Sequence, residues 1–557
     1  MRYQRVLFMI ILFTLLISPI STKLLPQSPS NCEILFVDGK VLDGTGNPWF
    51  YADVAVTGDK IVAVGDLKGK ITSQQTINIK GKILVPGFID IHTHAYDRVV
   101  SDKVWQGENE KRYFAPNFMS QGVTTLVSNH CGGGPPTLTE QSRVLAEMGT
   151  GPNVCLLIGH NSIRRHVLGK DSQRPATSAE ILEMRKLVRQ AMEEGAAGMS
   201  SGLEYVPSIW STTEELVALV KEMVPYGGIF FAHERASGLS PMWYVPSQDE
   251  PGPPNMLDNI LELIEVSEHT GGRVVAAHIK ARGADFWGAS QAIIQHINKA
   301  RDRGVDIWAD CYPYNSSGSD GRVVLIPSWA LGRNFQESLR ATLEDPEKKK
   351  SLYADIKHNI NWRGGTENII IMDFIEKSYI GKSISQAAQE NGIDDIEMII
   401  QLQLKGDPRT PGGARLRGFS MDEIDIEAFS AQPWTATASD ASIALPGDGP
   451  VHARFYGTFP RKIRHYALER GVISLENAVR ASTSLPAQIL GLRDRGMIRE
   501  GFHADLVVFD LDTIKDTATF FEPHQHAEGI HFVLVNGEFV VKQGELTWER
   551  PGRVLKK

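Results

Sequence analysis

The sequence predicts an α/β chain whose main domain is a TIM-like (β/α)8 barrel and whose two ends together form a small β-sandwich. From residue 87 to about residue 492, short apolar runs typical of strands alternate with helical stretches such as residues 178–194 and 213–224. Several of these apolar runs end in histidine, cysteine or aspartate, and barrel enzymes place their catalytic groups at the C-terminal ends of the strands. Short strand-like runs separated by Gly and Asp turns occur near both ends of the chain.

The first 23 residues have the pattern of a signal peptide. Arg2 and Arg5 precede an apolar run over residues 6–20, which is short for a membrane span but suits the apolar core of a secretory leader. The pattern therefore predicts export, to the periplasm or the medium. No clean small-x-small cleavage site follows, so an uncleaved membrane anchor over residues 1–23 stays open.

The β-sandwich is predicted from two separate segments, residues 33–86 and residues 493–550. Its first half contains strand-like runs at residues 34–37, 54–56, 61–64 and 76–83. Further runs at residues 504–509 and 533–537 supply the second half.

The barrel is predicted over residues 87–492, with one long interruption. Residues 321–430 break the alternation of strands and helices and form a predicted insertion. Such a segment either covers the mouth of the active site or is a surface excursion, and the sequence leaves both interpretations open.

His92 and His94 lie at the end of the first predicted barrel strand. Alternating residues of a strand point the same way, so both imidazoles can face one metal ion. A chance His-x-His is common, and the pair alone is a weak signal.

Further candidate metal ligands end other apolar runs of the barrel. His233, His278 and Asp440 each follow a strand-like run, and Cys131 adds a thiol in the same position. Taken alone, His233, His278 or Cys131 is as consistent with a structural role as with metal binding. Their joint pattern predicts a metal site of a hydrolase.

The chain resembles the N-acyl-D-amino-acid deacylase branch of the metal-dependent amidohydrolase superfamily. The resemblance extends over most of the chain from about residue 33, and its most specific strings are residues 193–205 and 452–461. In much of the superfamily a carboxylated lysine of the fourth strand bridges two metals, but residues 198–202 contain no lysine. The resemblance implies that Cys131 takes that place.

The same resemblance implies a role for each candidate ligand. Cys131, His233 and His278 would hold a tightly bound zinc, and the thiolate would reach towards a second, weaker position. That second position would be formed by His92, His94 and Asp440. Sulfur and imidazole ligands favour zinc over magnesium or calcium. Asp440 would also transfer a proton from the attacking water to the leaving amine.

The implied reaction is hydrolysis of an N-acyl-D-amino acid, or of a dipeptide with a C-terminal D residue. Arg454, Lys280 and Tyr312 match family positions that hold the α-carboxylate of the substrate, and Arg454 offers a planar fork for it. Ser319 is the preferred candidate for an additional serine contact. The preference for D over L substrates comes from the resemblance alone.

Two alternative functions stay open at this point. One is a metal-dependent cyclic-amide hydrolase similar to dihydropyrimidinases. The other is a serine hydrolase, because residues 198–202 fit the Gly-x-Ser-x-Gly pattern with Ser200 as the nucleophile. A formal net charge of −8 gives no reason to expect nucleic-acid binding. Small molecules are the expected partners, and a membrane only if the leader is uncleaved.

Overall fold

The computed structural model describes residues 30–102, 105, 110–318 and 322–557. The predicted leader over residues 1–23 lies outside these ranges. Among the described helices, none has the length and apolar character needed to span a bilayer.

The first part of the chain forms seven short strands. They are β1 (Asn31–Val37), β2 (Lys40–Val41), β3 (Phe50–Tyr51), β4 (Asp53–Thr57), β5 (Lys60–Gly65), β6 (Thr72–Asn78) and β7 (Ile83–Pro86). The single strand predicted over residues 76–83 is wrong, because this segment contains the end of β6, a turn, and the start of β7. Gly81 has a φ of 83° in that turn, a conformation that glycine adopts without steric cost.

Eight parallel strands then form the barrel. They are β8 (Phe88–Asp90), β9 (Val123–Ser128), β10 (Asn153–Gly159), β11 (Gly198–Gly202), β12 (Ile229–His233), β13 (Arg273–Ala276), β14 (Ile307–Cys311) and β17 (Thr435–Thr437). The ring closes just beyond β8 and β17, where Thr93 and Ala441 form a parallel bridge and the Asp440 N–H donates to the His92 carbonyl at 2.9 Å. The predicted barrel fold is therefore confirmed.

Helices alternate with these strands and cover the outside of the barrel. They span Lys111–Phe114, Pro116–Met119, Thr139–Met148, His160–Leu168, Ser178–Glu193, Thr213–Met223, Met256–Thr270, Ser290–Asp302, Glu423–Ser430, Arg454–Arg461, Leu475–Ser482 and Ser484–Leu490, and a π-helix spans Lys462–Glu469. Local signals explain where they begin. Thr177 and Glu180, for example, form a reciprocal capping box at the start of the Ser178–Glu193 helix.

The insertion between β14 and β17 has its own small apolar core. It contains the strands β15 (Ile369–Asp373) and β16 (Arg415–Gly418) and helices at Ser328–Leu331, Phe335–Glu344, Pro346–Trp362, Ile384–Asn391 and Asp395–Lys405. This core extends from Val323 to Leu416. Ile426 and Phe429 of the Glu423–Ser430 helix are buried in the main barrel core. This helix therefore belongs to the barrel, and the insertion ends before the predicted residue 430.

The second part of the β domain follows the barrel. Its strands are β18 (Leu506–Phe509), β19 (Ile530–Val535), β20 (Glu538–Lys542) and β21 (Glu545–Leu546). β18 pairs antiparallel with β7, so strands from both ends of the chain share a seven-stranded sheet. That sheet and the four-stranded sheet β5-β4-β1-β6 enclose a common apolar core that includes Phe36, Val54 and Leu506. This is the sandwich that the sequence predicts.

Candidate metal centre and active site

The predicted metal ligands meet at the C-terminal ends of five barrel strands. His92 and His94 follow β8, Cys131 follows β9, His233 ends β12, His278 follows β13 and Asp440 follows β17. Cys131, His278 and Asp440 have φ angles of 51°, 40° and 51°, in the left-handed region that non-glycine residues rarely adopt. Such strain persists where the surrounding structure holds a functional group in place.

The sulfur of Cys131 lies at the centre of three imidazoles. Its Sγ is 3.6 Å from His92 Nε2, 3.6 Å from His233 Nδ1 and 3.7 Å from His278 Nε2. One donor atom from each of His92, Cys131, His278 and Asp440 lies within 4.8 Å of the others. The four donors are therefore close enough to share one metal ion.

Asp440 connects this cluster to the remaining histidine of the His-x-His pair. Its Oδ1 lies 3.3 Å from His94 Nε2 and 3.7 Å from His92 Nε2. Its Oδ2 lies 2.9 Å from a guanidinium nitrogen of Arg454. The carboxylate therefore joins the metal donors on one side to a substrate-binding candidate on the other.

Three carboxylates that the sequence analysis missed orient the histidines. Asp97 accepts a hydrogen bond from His94 Nδ1 at 2.7 Å, Glu204 accepts one from His233 Nε2 at 3.1 Å, and Asp310 lies 3.3 Å from His92 Nδ1. Such partners fix which ring nitrogen is free to bind a metal. Only Asp97 leaves a sequence signal, as the third residue after His94. Glu204 and Asp310 come from other strand ends.

The ionisation of the ligands favours metal binding. Burial raises the pKa of the Cys131 thiol, but the hydrogen bonds and charges of His233, His278 and His92 outweigh burial and hold that pKa well below its ordinary value. Burial also raises the pKa of Asp440, and Arg454 and the neighbouring histidines reverse this shift to well below the ordinary range. A thiolate, imidazoles and a carboxylate in a buried site suit zinc. The residues present therefore fit the predicted zinc site.

The site opens into a cavity of about 520 Å³, which is also lined by Lys280, Tyr312 and Arg454. The Tyr312 hydroxyl and the Nε and Nη1 atoms of Arg454 are buried and find no hydrogen-bond partner in the described part of the chain. Lys280 Nζ lies 2.7 Å from His278 Nδ1, so this residue also touches a metal ligand. Ser319 lies outside the described residues. The adjacent Ser317 and Gly318 line the cavity.

The serine-hydrolase alternative is wrong. The Ser200 hydroxyl is buried, donates to the Asn129 carbonyl at 2.5 Å and accepts the Gly132 N–H at 3.0 Å, so it faces the backbone rather than the cavity. Its neighbour Ser201 does form a chain of hydrogen bonds with His160 and Glu215, at 2.7 and 2.8 Å. All three side chains are buried away from the lining of the cavity, and this chain is structural.

A barrel with thiolate, imidazole and carboxylate donors at its strand ends belongs to the class of metal-dependent hydrolases. The model of the amidohydrolase family matches residues 75–224 and 378–541, and the chain belongs to this family. Its relatives include the D-aminoacylase of Alcaligenes xylosoxydans xylosoxydans, 31% identical over 94% of this chain and 97% of the relative. The N-acyl-D-aspartate deacylase of the same organism is 30% identical over 95% of this chain and 96% of the relative. The resemblance to the N-acyl-D-amino-acid deacylase branch is thus confirmed.

Solved structures of D-amino-acid deacylases are also similar to this chain. A D-aminoacylase studied for its binuclear metal centre superimposes with a TM-score of 0.72 at 29% identity, covering 94% of this chain and all of the other. An N-acyl-D-glutamate deacylase from Bordetella bronchiseptica, solved in complex with zinc and a phosphonate inhibitor, superimposes with a TM-score of 0.72 at 28% identity. The match covers 95% of this chain and all of the deacylase chain. A dihydropyrimidinase from Brevibacillus agri shares the fold alone, with a TM-score of 0.54 at 16% identity.

Proposed function

We propose that the protein hydrolyses the amide bond of N-acyl-D-amino acids in a zinc-dependent reaction and releases a carboxylate and a free D-amino acid. The observation that carries this proposal is the position of Asp440, between the metal donors and Arg454 in one cavity. Asp440 thus joins the metal donors, which suit attack on an amide, to Arg454, which suits the binding of an α-carboxylate.

Cys131, His233 and His278 would hold one zinc tightly, and His92, His94 and Asp440 would form a second, weaker position. Zinc bound there supplies a Lewis acid that polarises the amide carbonyl and makes water a stronger nucleophile at neutral pH. Asp440 accepts the proton of the attacking water at a carboxylate oxygen and then delivers it to the leaving amine nitrogen. Glu204 and Asp97 keep His233 and His94 in the required tautomers.

The amino-acid part of the substrate is held by Tyr312 and Arg454. The Tyr312 hydroxyl and the Nε and Nη1 atoms of Arg454 are buried polar atoms without a hydrogen-bond partner among the described residues, and leaving such atoms unpaired costs free energy. A substrate α-carboxylate satisfies both, with the guanidinium as a charge-assisted donor. The preference for the D configuration is supported by the relatives, which are named for D substrates.

A turnover screen tests this function. The zinc-loaded protein is assayed with paired N-acetyl-D- and N-acetyl-L-amino acids of apolar, acidic and basic type and with dihydrouracil and hydantoin, and zinc content is measured on the same preparation. We expect release of free amino acid from D substrates only, and loss of activity with a chelator. Faster opening of the cyclic ureides than of any linear amide would favour a cyclic-amide hydrolase instead.

We further infer that the protein is exported. The support is the charged and then apolar pattern of the first 23 residues. Expression of the full chain followed by fractionation and N-terminal sequencing tests this inference. Export predicts protein outside the cytoplasm, either shortened near residue 23 or retained at the membrane, whereas a full-length cytoplasmic product contradicts it.

A further inference from the structure

Arg282 is a buried cation of the cavity that the proposed reaction does not use. It follows His278 by four residues, on the loop after β13, and lines the cavity beside Lys280 and Tyr312. Only 6% of its surface is exposed. Its backbone N–H donates to the Ser237 carbonyl at 2.8 Å, which fixes the course of the loop.

The guanidinium of Arg282 packs against the insertion. Its Cζ lies 4.3 Å from the centre of the Trp362 ring, and Cζ of Arg363 lies 4.4 Å from the same ring. The indole N–H of Trp362 donates to the Ser240 carbonyl at 3.1 Å, so the ring is held in place. Burial and the charge of Arg282 lower the pKa of Arg363 to about 9. The two like charges therefore oppose each other beside the cavity.

Among the described residues, this pair of cations has no matching anion. Within the described part of the chain, no carboxylate forms an ion pair with Arg282 or Arg363, and Nε of Arg282 is buried without a hydrogen-bond partner. Glu204 interacts with both at longer range, but its oxygens already accept from His233 Nε2 at 3.1 Å and from the Met242 N–H at 2.6 Å. An unpaired buried charge is costly, and an anionic ligand would offset that cost.

The position of Arg282 indicates which part of the substrate it meets. Lys280, Arg282 and Tyr312 follow the adjacent strands β13 and β14, whereas Arg98 lines the cavity from the loop after β8. In the proposed function Tyr312 binds the α-carboxylate of the amino acid. Arg282 is near enough to Tyr312 for its positive charge to oppose the effect of burial, which raises the pKa of the Tyr312 hydroxyl, and we therefore place Arg282 on the amino-acid side of the scissile bond.

We propose that Arg282 binds a carboxylate on the side chain of the D-amino acid, which makes N-acyl-D-amino acids with acidic side chains the preferred substrates. This inference rests on the proposed function, because it concerns the same cavity. The planar guanidinium pairs with both oxygens of a carboxylate, and Trp362 holds its plane. The bound carboxylate also offsets the repulsion between Arg282 and Arg363.

An isosteric pair of substrates tests the proposal. The zinc-loaded protein is assayed with N-acetyl-D-glutamate and with N-acetyl-D-glutamine, which differ only in the charge and the donors of the side-chain terminus. We expect the acid to have the higher kcat/KM, and Arg282→Met to lower kcat/KM for the acid by about 100-fold. The same substitution should change kcat/KM for the amide by no more than about threefold.

Arg98→Met is the matched control, because it removes a cation from the same cavity on the β8 side. It should leave the ratio between the two substrates unchanged. Thermal unfolding shows whether Arg282→Met folds. If it does not, Arg282→Gln replaces it, because glutamine keeps a planar group beside Trp362 but removes the charge. Equal loss on both substrates, or an equal change in ratio for Arg98→Met, would overturn the proposal.

A binding measurement separates this proposal from the proposed function. D-Glutamate and D-glutamine are titrated into the zinc-loaded protein by calorimetry, with tryptophan fluorescence as a second signal because Trp362 adjoins Arg282. Tighter binding of D-glutamate than of D-glutamine, lost in Arg282→Met, supports the acidic subsite. This holds even if neither N-acetyl compound is hydrolysed, because the absence of hydrolysis contradicts only the proposed function. Equal binding of the two amino acids overturns the subsite, whatever the turnover.

Discussion

Arg454 and Asp440 form a buried ion pair, with a guanidinium nitrogen 2.9 Å from Oδ2 of the carboxylate. Because Oδ1 of the same carboxylate faces His94 and His92, the pair links substrate recognition directly to the metal donors. The Nε and Nη1 atoms of Arg454 are buried and have no hydrogen-bond partner among the described residues. Arg454 therefore has two tasks that a substitution would disturb together.

We expect Arg454→Lys to raise KM for N-acyl-D-amino acids by about tenfold, because a lysine keeps the charge but lacks the fork. Arg454→Met should raise KM further and also lower kcat, since Arg454 helps to hold the pKa of Asp440 low. Steady-state kinetics and metal analysis check this, with zinc content unchanged. The control substrate carries an amidated α-carboxyl group. If both variants impair that neutral analogue as much as the free acid, Arg454 does not recognise the carboxylate.

We expect Asp440→Asn to keep the tightly held zinc but to lower kcat by at least about 100-fold, because the variant cannot transfer a proton. The tight ion is held by other residues in the proposed site. Zinc content and kcat are measured on the same preparation. Turnover close to that of the wild type would remove Asp440 from the proton transfer.

Single replacement of Cys131, His233 or His278 by alanine should remove both zinc and activity, because each supplies one of only a few ligands to the tight position. Cys155→Ala is the matched control, since Cys155 is a buried free thiol of strand β10 outside the metal site. It should retain zinc and turnover. A full equivalent of zinc in all three ligand variants would contradict the assignment.

Glu215 gives a prediction for stability rather than catalysis. It pairs with both Arg164 and His160 in a fully buried cluster, so Glu215→Gln should lower the free energy of unfolding by about 3 kcal/mol at pH 7. Burial raises the pKa of Glu215, but His160 and Arg164 lower it below its ordinary value of 4.5. Because the pKa of Glu215 is lower in the folded than in the unfolded protein, ionised Glu215 stabilises the fold at any pH above its unfolded pKa. This stabilisation is lost as the pH falls through the pKa of the folded protein.

The difference between wild type and Glu215→Gln should therefore be largest near neutral pH and shrink below pH 4.5. Denaturant unfolding at several pH values measures it. Glu214→Gln, on the exposed side of the same helix turn, is the control and should be close to neutral. A difference that grows on acidification would show that Glu215 is not ionised in the folded protein.

The resemblance to the deacylase branch implied a β domain whose two halves flank the barrel. The sequence alone determined the barrel, the short strands near both chain ends, and the strand ends at which metal donors occur. Periodicity carries this information, because it reports how each side chain is oriented relative to its own strand, as it does for His92 and His94. The break between β6 and β7 was missed, since the alternation of apolar and polar residues continues from Ile77 to Ile83 through the turn at Gly81.

Only the tertiary structure decided which of these groups meet. The ion pair of Arg454 with Asp440, the contact of Glu204 with His233, and the packing of Arg282 against Trp362 each join different elements of the chain. Barrel closure and the path of the loops bring them within a few ångströms. No local pattern encodes such distances, because each depends on how separate elements pack around the common core.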